Sequence, residues 1–277
     1  MGVTVPLNPV TENRIFTIAT KGHKRRRVRI GRIWVDALTF ADALQSVRLL
    51  IEEKKGGSIF TPNVDHFVLA EENPEFRRAY RGASLVFADG VPVVWASRLL
   101  RTPIPEKLSG SDMILPIARL AAAERWSVYL LGGAPGVAVA ASAQLSKLEG
   151  INLVGCDDSL IQAGDLGTHS GVVARIREAR PDLLFVALGA PKQELWITRA
   201  LDDISPTVAI AVGASLDFVA GRLRRAPRWM SSMGMEWLYR LAQEPRRLWR
   251  RYLIRGPRFG LIVLRELTVA RSQRISD

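Results

Sequence analysis

The sequence predicts an α/β fold: a mostly parallel sheet with helices on both faces, followed by a basic helical C-terminal appendage. Three observations predict it. From about residue 28 to 221, short apolar runs alternate with stretches of helical periodicity, the signature of strand–helix–strand crossovers. Several of those runs stop at a glycine, proline or carboxylate just before a helix, where open α/β sheets place their ligands. After Gly221 the strand pattern ends, and arginine and tryptophan recur at helical spacing.

Taken in order, residues 1–27 read as a flexible basic lead-in ending in Lys21-Gly22-His23-Lys24-Arg25-Arg26-Arg27. Such a run is a solvated tail or a contact for lipid headgroups. Val28 to Val35 alternates apolar and polar residues and predicts one strand. Thr39 is an N-cap candidate for a helix reaching about Glu53, with Leu44, Val47, Leu50 and Ile51 on one face. Ser58–Phe60 predicts a strand, with helices over Val64–Glu72 and Pro74–Arg81. Leu85–Ala88 predicts a strand and Val91–Leu100 a helix. A proline-containing loop over 101–109 leads to a helix from Asp112 to Arg125. Ser127–Leu131 and Ile151–Val154 predict strands flanking a helix over Gly136–Leu148. A loop through about residue 167 precedes a helix ending at Arg180. Leu183–Leu188, a helix over Lys192–Leu201, and Thr207–Val212 complete the α/β domain, residues 28–221.

Residues 222–277 form the appendage. Met230, Met233, Trp237, Leu238 and Leu241 share one helical face. Pro245 ends that helix and suits the first turn of the next. Gly256-Pro257 predicts a second break, with a third helix over 258–272 that clusters Phe259, Ile262, Val263 and Leu267. Basic helices with tryptophan on an apolar face fit a membrane interface. The plainer alternative is that these faces pack on the domain.

Composition narrows the classes. The single cysteine, Cys156, excludes a disulfide framework and a cysteine-based zinc site, and fits a reducing compartment. No stretch of about 18 uncharged apolar residues stands ready to span a bilayer. The net charge of +12 is uneven: residues 1–32 hold eight Lys/Arg against one acid, 33–221 hold seventeen against twenty-two, and 222–277 hold fourteen arginines against four acids. The basic ends fit an anionic surface or a bound phosphate.

The candidate site lies at four strand ends. Asp89, in Leu85-Val86-Phe87-Ala88-Asp89-Gly90-Val91-Pro92, is a carboxylate at one of them, and by itself reads equally as a turn residue or helix cap. Thr61 and Asn63 offer a hydroxyl and an amide, Asn63 also as a helix cap. Gly132 and Gly133, in Gly132-Gly133-Ala134-Pro135-Gly136, would let a backbone and a helix amino end approach a phosphate, although the run is not G-x-G-x-x-G. Gly189-Ala190-Pro191-Lys192-Gln193-Glu194 repeats the arrangement, with Lys192 suited to a phosphate and Gln193 to a sugar or base, although both also read as the exposed first turn of a helix. Gly213-Ala214-Ser215-Leu216-Asp217 adds small residues. His23, His66 and His169 are scattered and there is no D-x-D pair, so no metal site is predicted. His66 reads as a capping or surface residue. Arginine forks of the appendage are the predicted partners of any leaving diphosphate.

In their order along residues 30–255, these motifs resemble the WecG/TagA/CpsF bacterial glycosyltransferases. The resemblance is carried by Thr61-Pro62-Asn63, Ala88-Asp89-Gly90-Val91-Pro92, Leu108-Ser109-Gly110-Ser111-Asp112, Leu131-Gly132-Gly133 and Leu188-Gly189-Ala190-Pro191-Lys192-Gln193-Glu194. Val212-Gly213-Ala214, Arg225-Ala226-Pro227-Arg228-Trp229, Glu236-Trp237-Leu238-Tyr239-Arg240-Leu241 and Gln243-Glu244-Pro245-Arg246-Arg247 continue it. It implies a Rossmann-like domain whose appendage reaches the membrane and completes the active site. The implied reaction is inverting, independent of metal and of other cofactors. It moves a sugar of the N-acetylmannosamine or related hexose type from a UDP-sugar to an undecaprenyl-diphosphate-linked acceptor in cell-surface polysaccharide synthesis. It implies Asp89 as general base, Thr61, Asn63 and Gln193 near it, and Arg240, Arg247 and Arg250 on the diphosphate. The family often has arginine where Lys107 stands; a lysine keeps the charge and loses the bidentate fork.

The expected partners are therefore the UDP-sugar, the polyprenyl-diphosphate-linked acceptor and the cytoplasmic membrane surface, not nucleic acid. The expected location is the inner face of that membrane, peripherally bound. An apolar patch that packs the appendage could equally pair two subunits, so a homo-oligomer stays open. A nucleotide-cofactor oxidoreductase on the same sheet lacks the full glycine fingerprint and a ribose-binding acid. A non-catalytic binder using the basic ends would lose binding in moderate salt.

Overall fold

A computed structural model of the chain describes residues 15–20, 23–159, 170–223, 226–227, 230 and 235–275. Of the residues singled out above, Lys21, Gly22, His169, Arg225, Arg228, Trp229 and Met233, and the side chains of His23, Lys24 and Arg247, lie outside the described set.

Two sheets are present among the described residues. The larger is six-stranded and parallel throughout. It is built from β4 (Gly57–Phe60), β5 (Leu85–Val86), β6 (Ser127–Gly132), β7 (Asn152–Asp157), β8 (Leu183–Ala187) and β9 (Val208–Ala211), in the spatial order β5-β4-β9-β8-β6-β7. Residues of β8 alternate between two cores. Leu183 and Phe185 face one cluster, and Leu184 and Val186 face the other. This period of two with both faces apolar is what a sheet covered on both sides requires.

One face is covered by α1 (Phe40–Glu52), α5 (Gly110–Ala123), α6 (Val137–Leu145) and α9 (Ser215–Val219). The other carries α2 (Val64–Glu72), α3 (Pro74–Gly82), α4 (Val91–Leu99), α7 (Ser170–Ala179) and α8 (Lys192–Ala200). The predicted α1 start is confirmed in detail. Thr39 and Asp42 form a capping box, each side chain accepting the other's backbone N–H. The short α9 was not anticipated from Gly213-Ala214-Ser215-Leu216-Asp217.

The smaller sheet corrects the reading of the amino end. Strand pairing reaches back to Ile15: β1 (Ile15–Thr20), β2 (His23–Ile30) and β3 (Ile33–Asp36) form an antiparallel meander. The single strand expected over Val28–Val35 is two strands, because Gly31 adopts a φ of 55° and turns the chain between Ile30 and Ile33. A Cβ at Gly31 would also stand 2.9 Å from Ile262 of the appendage. The basic run is not a uniformly solvated tail. Arg27 is buried and binds Asp36 through Nε at 2.9 Å, and Arg25 approaches the same carboxylate at 3.4 Å. Arg26 donates to the Pro103 carbonyl.

The appendage contains α10 (Glu236–Gln243), α11 (Pro245–Trp249), a π-helical stretch over Arg250–Arg255, and α12 (Gly256–Ile275). The predicted break at Gly256-Pro257 is absent. A widened π turn precedes Pro257, which has no N–H to give and whose ring crowds the turn before it. Phe259, Ile262 and Val263 of α12 are buried against the domain, with the Phe259 ring 5.3 Å from that of Phe67 on α2. For this helix the apolar stripe packs on the protein. Trp237, Leu238, Trp249, Leu253, Ile254, Leu261 and Leu264 remain exposed. Among the described residues, no helix is long and apolar enough to cross a membrane.

Asp182, at the start of β8, ties three segments together. It accepts the Ser127 N–H at 2.9 Å and the Lys54 ammonium at 2.6 Å. Burial raises its pKa, but Lys54 and Ser127 outweigh burial and hold the carboxyl below 3.8. A depressed folded pKa means stability that is complete above the unfolded value and lost as pH falls through the folded one. An Asp182→Asn protein is therefore expected to unfold less steeply with acid below about pH 4, followed by circular dichroism. An unchanged acid limb would remove Asp182 from this role.

Candidate active site

The parallel strands end on one side of the sheet, and their loops converge there. Beyond β5 the ladder continues irregularly: the Phe87 N–H bonds the Phe60 carbonyl at 2.8 Å, and the Asp89 N–H bonds the Pro62 carbonyl at 3.0 Å. Asp89 is thereby held beside the end of β4. Thr61, at that end, donates its hydroxyl to the Ala211 carbonyl of β9 at 3.2 Å. From β4 the chain crosses to β5 on one side, while its other neighbour, β9, is the last strand. Such a reversal of strand order opens a crevice at the carboxyl edge.

Three adjoining chambers occupy this crevice. The first lies between the loop after β5 and the appendage, lined by Val91, Pro92, Lys107, Trp237 and Phe259 among others. The second is more polar and is lined by Thr61, His66, Gly189, Gln193, Gly213 and Ser215 among others. Asn63, Asp89, Glu236 and Arg240 line both. The third is lined by Gly133, Ala134, Lys192, Asp217, Arg222 and Glu244 among others, and shares Gly189, Gly213 and Ala214 with the second. Asp89 and Arg240 therefore stand where the first two chambers meet.

Most residues singled out from the sequence come together here. Asn63 caps α2, its side chain accepting the Asp65 N–H at 3.1 Å, and it also lines the crevice. Lys107 is 2.8 Å from Asp112 and 3.7 Å from Glu236, linking the domain to the appendage. Burial lowers its pKa, but Asp112, Glu236 and Asp89 raise it further, so the ammonium stays charged.

Other residues are placed differently from expectation. Gly132 does not line the three chambers. Its φ is 94°, and a Cβ there would stand 2.9 Å from the Ala187 backbone, so its smallness serves the packing of β6 on β8. Near Gly133, the amino end of α6 meets a carboxylate of the chain itself: Asp158 accepts the Gly136 N–H at 2.6 Å. That end is not simply open to a phosphate. Arg250 lies over the Trp249 ring at 5.3 Å and does not line the three chambers.

The tail arginines divide by partner. Arg255, Arg258 and Arg265 pair with Asp65, Glu72 and Glu71 of α2 at 2.9, 2.5 and 2.7 Å. They hold the appendage on the domain. Arg240 instead enters the crevice, its guanidinium 5.7 Å from the Phe218 ring centroid. Arg222 also lines the third chamber and donates to the Pro135 carbonyl at 3.2 Å.

Sequence reading missed four participants. His66 is buried, not a surface residue, and its Nδ1 lies 2.7 Å from the Tyr80 hydroxyl. Glu194 is fully buried and accepts a hydrogen bond from Gln193. Arg222 and Glu236 come from beyond the domain and meet the crevice only through the chain's return. His66 carried a faint signal, three residues after a capping Asn63 in a helix whose Asp65 to Ala70 are all buried. Among the described residues, no group of three or more His, Cys, Asp or Glu is placed to hold a metal ion.

The cleft is thus built from strand-end loops, closed on one side by a helical appendage, with a carboxylate where two of its chambers meet. The profile of the glycosyl transferase WecG/TagA/CpsF family matches residues 28–273, which include both the sheet and the appendage residues of that cleft. The chain belongs to this family and is a glycosyltransferase of cell-surface polysaccharide synthesis.

Proposed function

We propose that the chain transfers a hexose, of the N-acetylmannosamine type or a relative of it, from a UDP-sugar to a polyprenyl-diphosphate-linked sugar. The observation that carries this reading is Asp89 at the junction of two chambers. The nucleotide lies along the third chamber, near Lys192 and Arg222. Its sugar fills the second, against Thr61, Gln193 and Gly213. The acceptor enters by the first chamber, whose lining includes Val91, Pro92, Trp237 and Phe259. Asp89 takes the proton from the acceptor hydroxyl as the oxygen attacks the anomeric carbon. UDP departs from the opposite face, so the anomeric configuration inverts. Arg240 faces the developing negative charge with a fork matched to phosphate oxygens.

The same reading puts the protein on the inner face of the cytoplasmic membrane. The support is the cluster of exposed apolar residues in the appendage, Trp249, Leu253 and Ile254 beside Arg250. Apolar side chains with flanking arginines suit a headgroup boundary.

A panel of UDP-sugars offered with a lipid-diphosphate-linked acceptor tests the reading, following UDP release and product mass. One donor is expected to release UDP only when acceptor is present. The Arg240→Ala protein should be slower by roughly tenfold to a hundredfold, the worth of a hydrogen bond to a charged group. If no UDP-sugar is consumed with any lipid-linked acceptor, the donor class is wrong.

A further inference from the structure

Beneath the second chamber, polar side chains from three helices form a buried chain. Gln193 and Glu194 stand in the first turn of α8, His66 on α2 and Tyr80 on α3. The Gln193 carbonyl oxygen accepts the Gly213 N–H at 3.1 Å. Its Nε2 donates to Glu194 Oε1 at 2.8 Å. His66 Nδ1 is 3.8 Å from that same oxygen and 2.7 Å from the Tyr80 hydroxyl. Gln193 and His66 are each 3% exposed and Glu194 is 0% exposed.

These partners settle which way the amide points. A backbone N–H can only donate, so Gly213 selects the amide oxygen. Glu194 Oε1 accepts from the amide on its other side, so Glu194 selects the amide nitrogen there. A neutral partner such as glutamine at 194 could turn either its oxygen or its NH2 toward Gln193, so the amide would be held by the Gly213 bond alone instead of by two bonds. The first turn of α8 favours a negative charge at Glu194, since the helix amino end is its positive end. With the oxygen and one N–H engaged, the amide has one N–H left, and Gln193 lines the second chamber.

We propose that Glu194 is a positioning residue: it locks the Gln193 amide so that the remaining N–H meets an oxygen of the transferred sugar, with His66 and Tyr80 bracing the carboxylate from behind. This rests on the second chamber being the sugar subsite, as argued above. It makes the subsite a donor of hydrogen bonds at Gln193, selecting a hydroxyl or carbonyl oxygen there.

The test is Glu194→Gln, read two ways. Amide NMR of ¹⁵N-glutamine-labelled protein reports the geometry without any substrate. The Gln193 side-chain protons, assigned by their loss in Gln193→Ala, should be dispersed and slow to exchange in the parent and neither in the variant. Transfer kinetics should then show kcat lowered by up to about a hundredfold, with the KM for the UDP-sugar and the affinity for UDP changed by less than about threefold. Unmoved Gln193 signals would show that Glu194 does not hold the amide. Moved signals with near-normal kcat would show that its orientation is immaterial to transfer. Either overturns the proposal.

If Glu194→Gln does not fold, the exchanged pair Gln193→Glu/Glu194→Gln keeps a hydrogen bond between the two side chains with donor and acceptor swapped. It is expected to melt near the parent temperature and still turn over slowly, because the chamber now meets only lone pairs. Recovery of normal turnover in the exchanged pair would mean that the bond matters only for packing. A parent protein that consumes no UDP-sugar would sink the donor assignment, while the NMR comparison would still decide whether Glu194 orients Gln193.

Discussion

An Asp89→Asn protein should stay folded and lose about 10²- to 10⁴-fold in the rate of sugar transfer, the usual worth of a general base. The substitution keeps the side chain's size. The backbone bond from the residue 89 N–H to Pro62 is independent of the side chain, so the loop after β5 should keep its path. What changes is basicity. An amide cannot take the proton from an attacking hydroxyl, and the acceptor oxygen must then attack undeprotonated. Initial rates of UDP release report the loss, and a melting temperature close to the parent's shows that the fold is retained. Near-normal transfer by a folded Asp89→Asn protein would remove Asp89 from the role of base. The expected loss should also fall mainly on kcat, because the N–H and carbonyl of the new amide can still bind ligands.

The second large effect concerns stability. Asp36 is fully buried at the end of β3 and has unusually dense pairing. Arg27 binds both of its oxygens, at 2.9 and 3.1 Å, and Arg25 approaches at 3.4 Å. Its Oδ2 also accepts the Val86 N–H at 2.7 Å. Burial lowers the Arg25 pKa and Asp36 raises it in return, so the carboxylate is what makes a sheltered guanidinium tolerable. Asp36→Ala would leave the buried Arg27 without the carboxylate it binds, Arg25 with Glu53 as its acidic neighbour, and a backbone donor of β5 without an acceptor. Removing one member of such a set costs about 3–5 kcal/mol. Urea unfolding followed by circular dichroism should show that loss, with a melting temperature lower by roughly 10 °C. A change under about 1 kcal/mol would mean that water or other carbonyls satisfy the arginines.

The Asp36 set also has a bearing on the site. β5 is a two-residue edge strand, and an edge leaves backbone groups unpaired. Asp36 supplies an acceptor for one of them, and Arg27 reaches the Ala83 and Ser84 carbonyls just before it. The loop that carries Asp89 thus grows from a strand pinned by the amino-terminal meander. The lead-in that reads as a basic tail is part of what holds the candidate base in position.

Much of this protein was legible in its sequence. α2 was expected over Val64–Glu72 and occurs there, because Asn63 caps it and Asn73 breaks it through local bonds. β6, β8 and β9 lie where apolar runs predicted them, since a covered parallel strand must be apolar on both faces. The crevice residues Thr61, Asn63, Asp89, Gln193 and Gly213 were found by one rule, that ligands gather at the carboxyl ends of parallel strands. The rule failed at Gly132 because two reasons for a glycine, ligand approach and strand packing, look the same in a sequence. It failed to suggest His66 and Glu194 because a buried titratable residue differs from an exposed one only in what surrounds it.

What the sequence by itself determined is the series of elements and their apolar faces, for those depend on propensity and periodicity among near neighbours. Only the tertiary structure decided the partner of each charge. Arg255, Arg258 and Arg265 are bound to α2, Arg27 is bound to Asp36, and Arg240 enters the cleft. In the sequence these are simply arginines in basic stretches. A charge interacts with whatever lies within a few ångströms, and here that is set by chain segments as much as 194 residues apart.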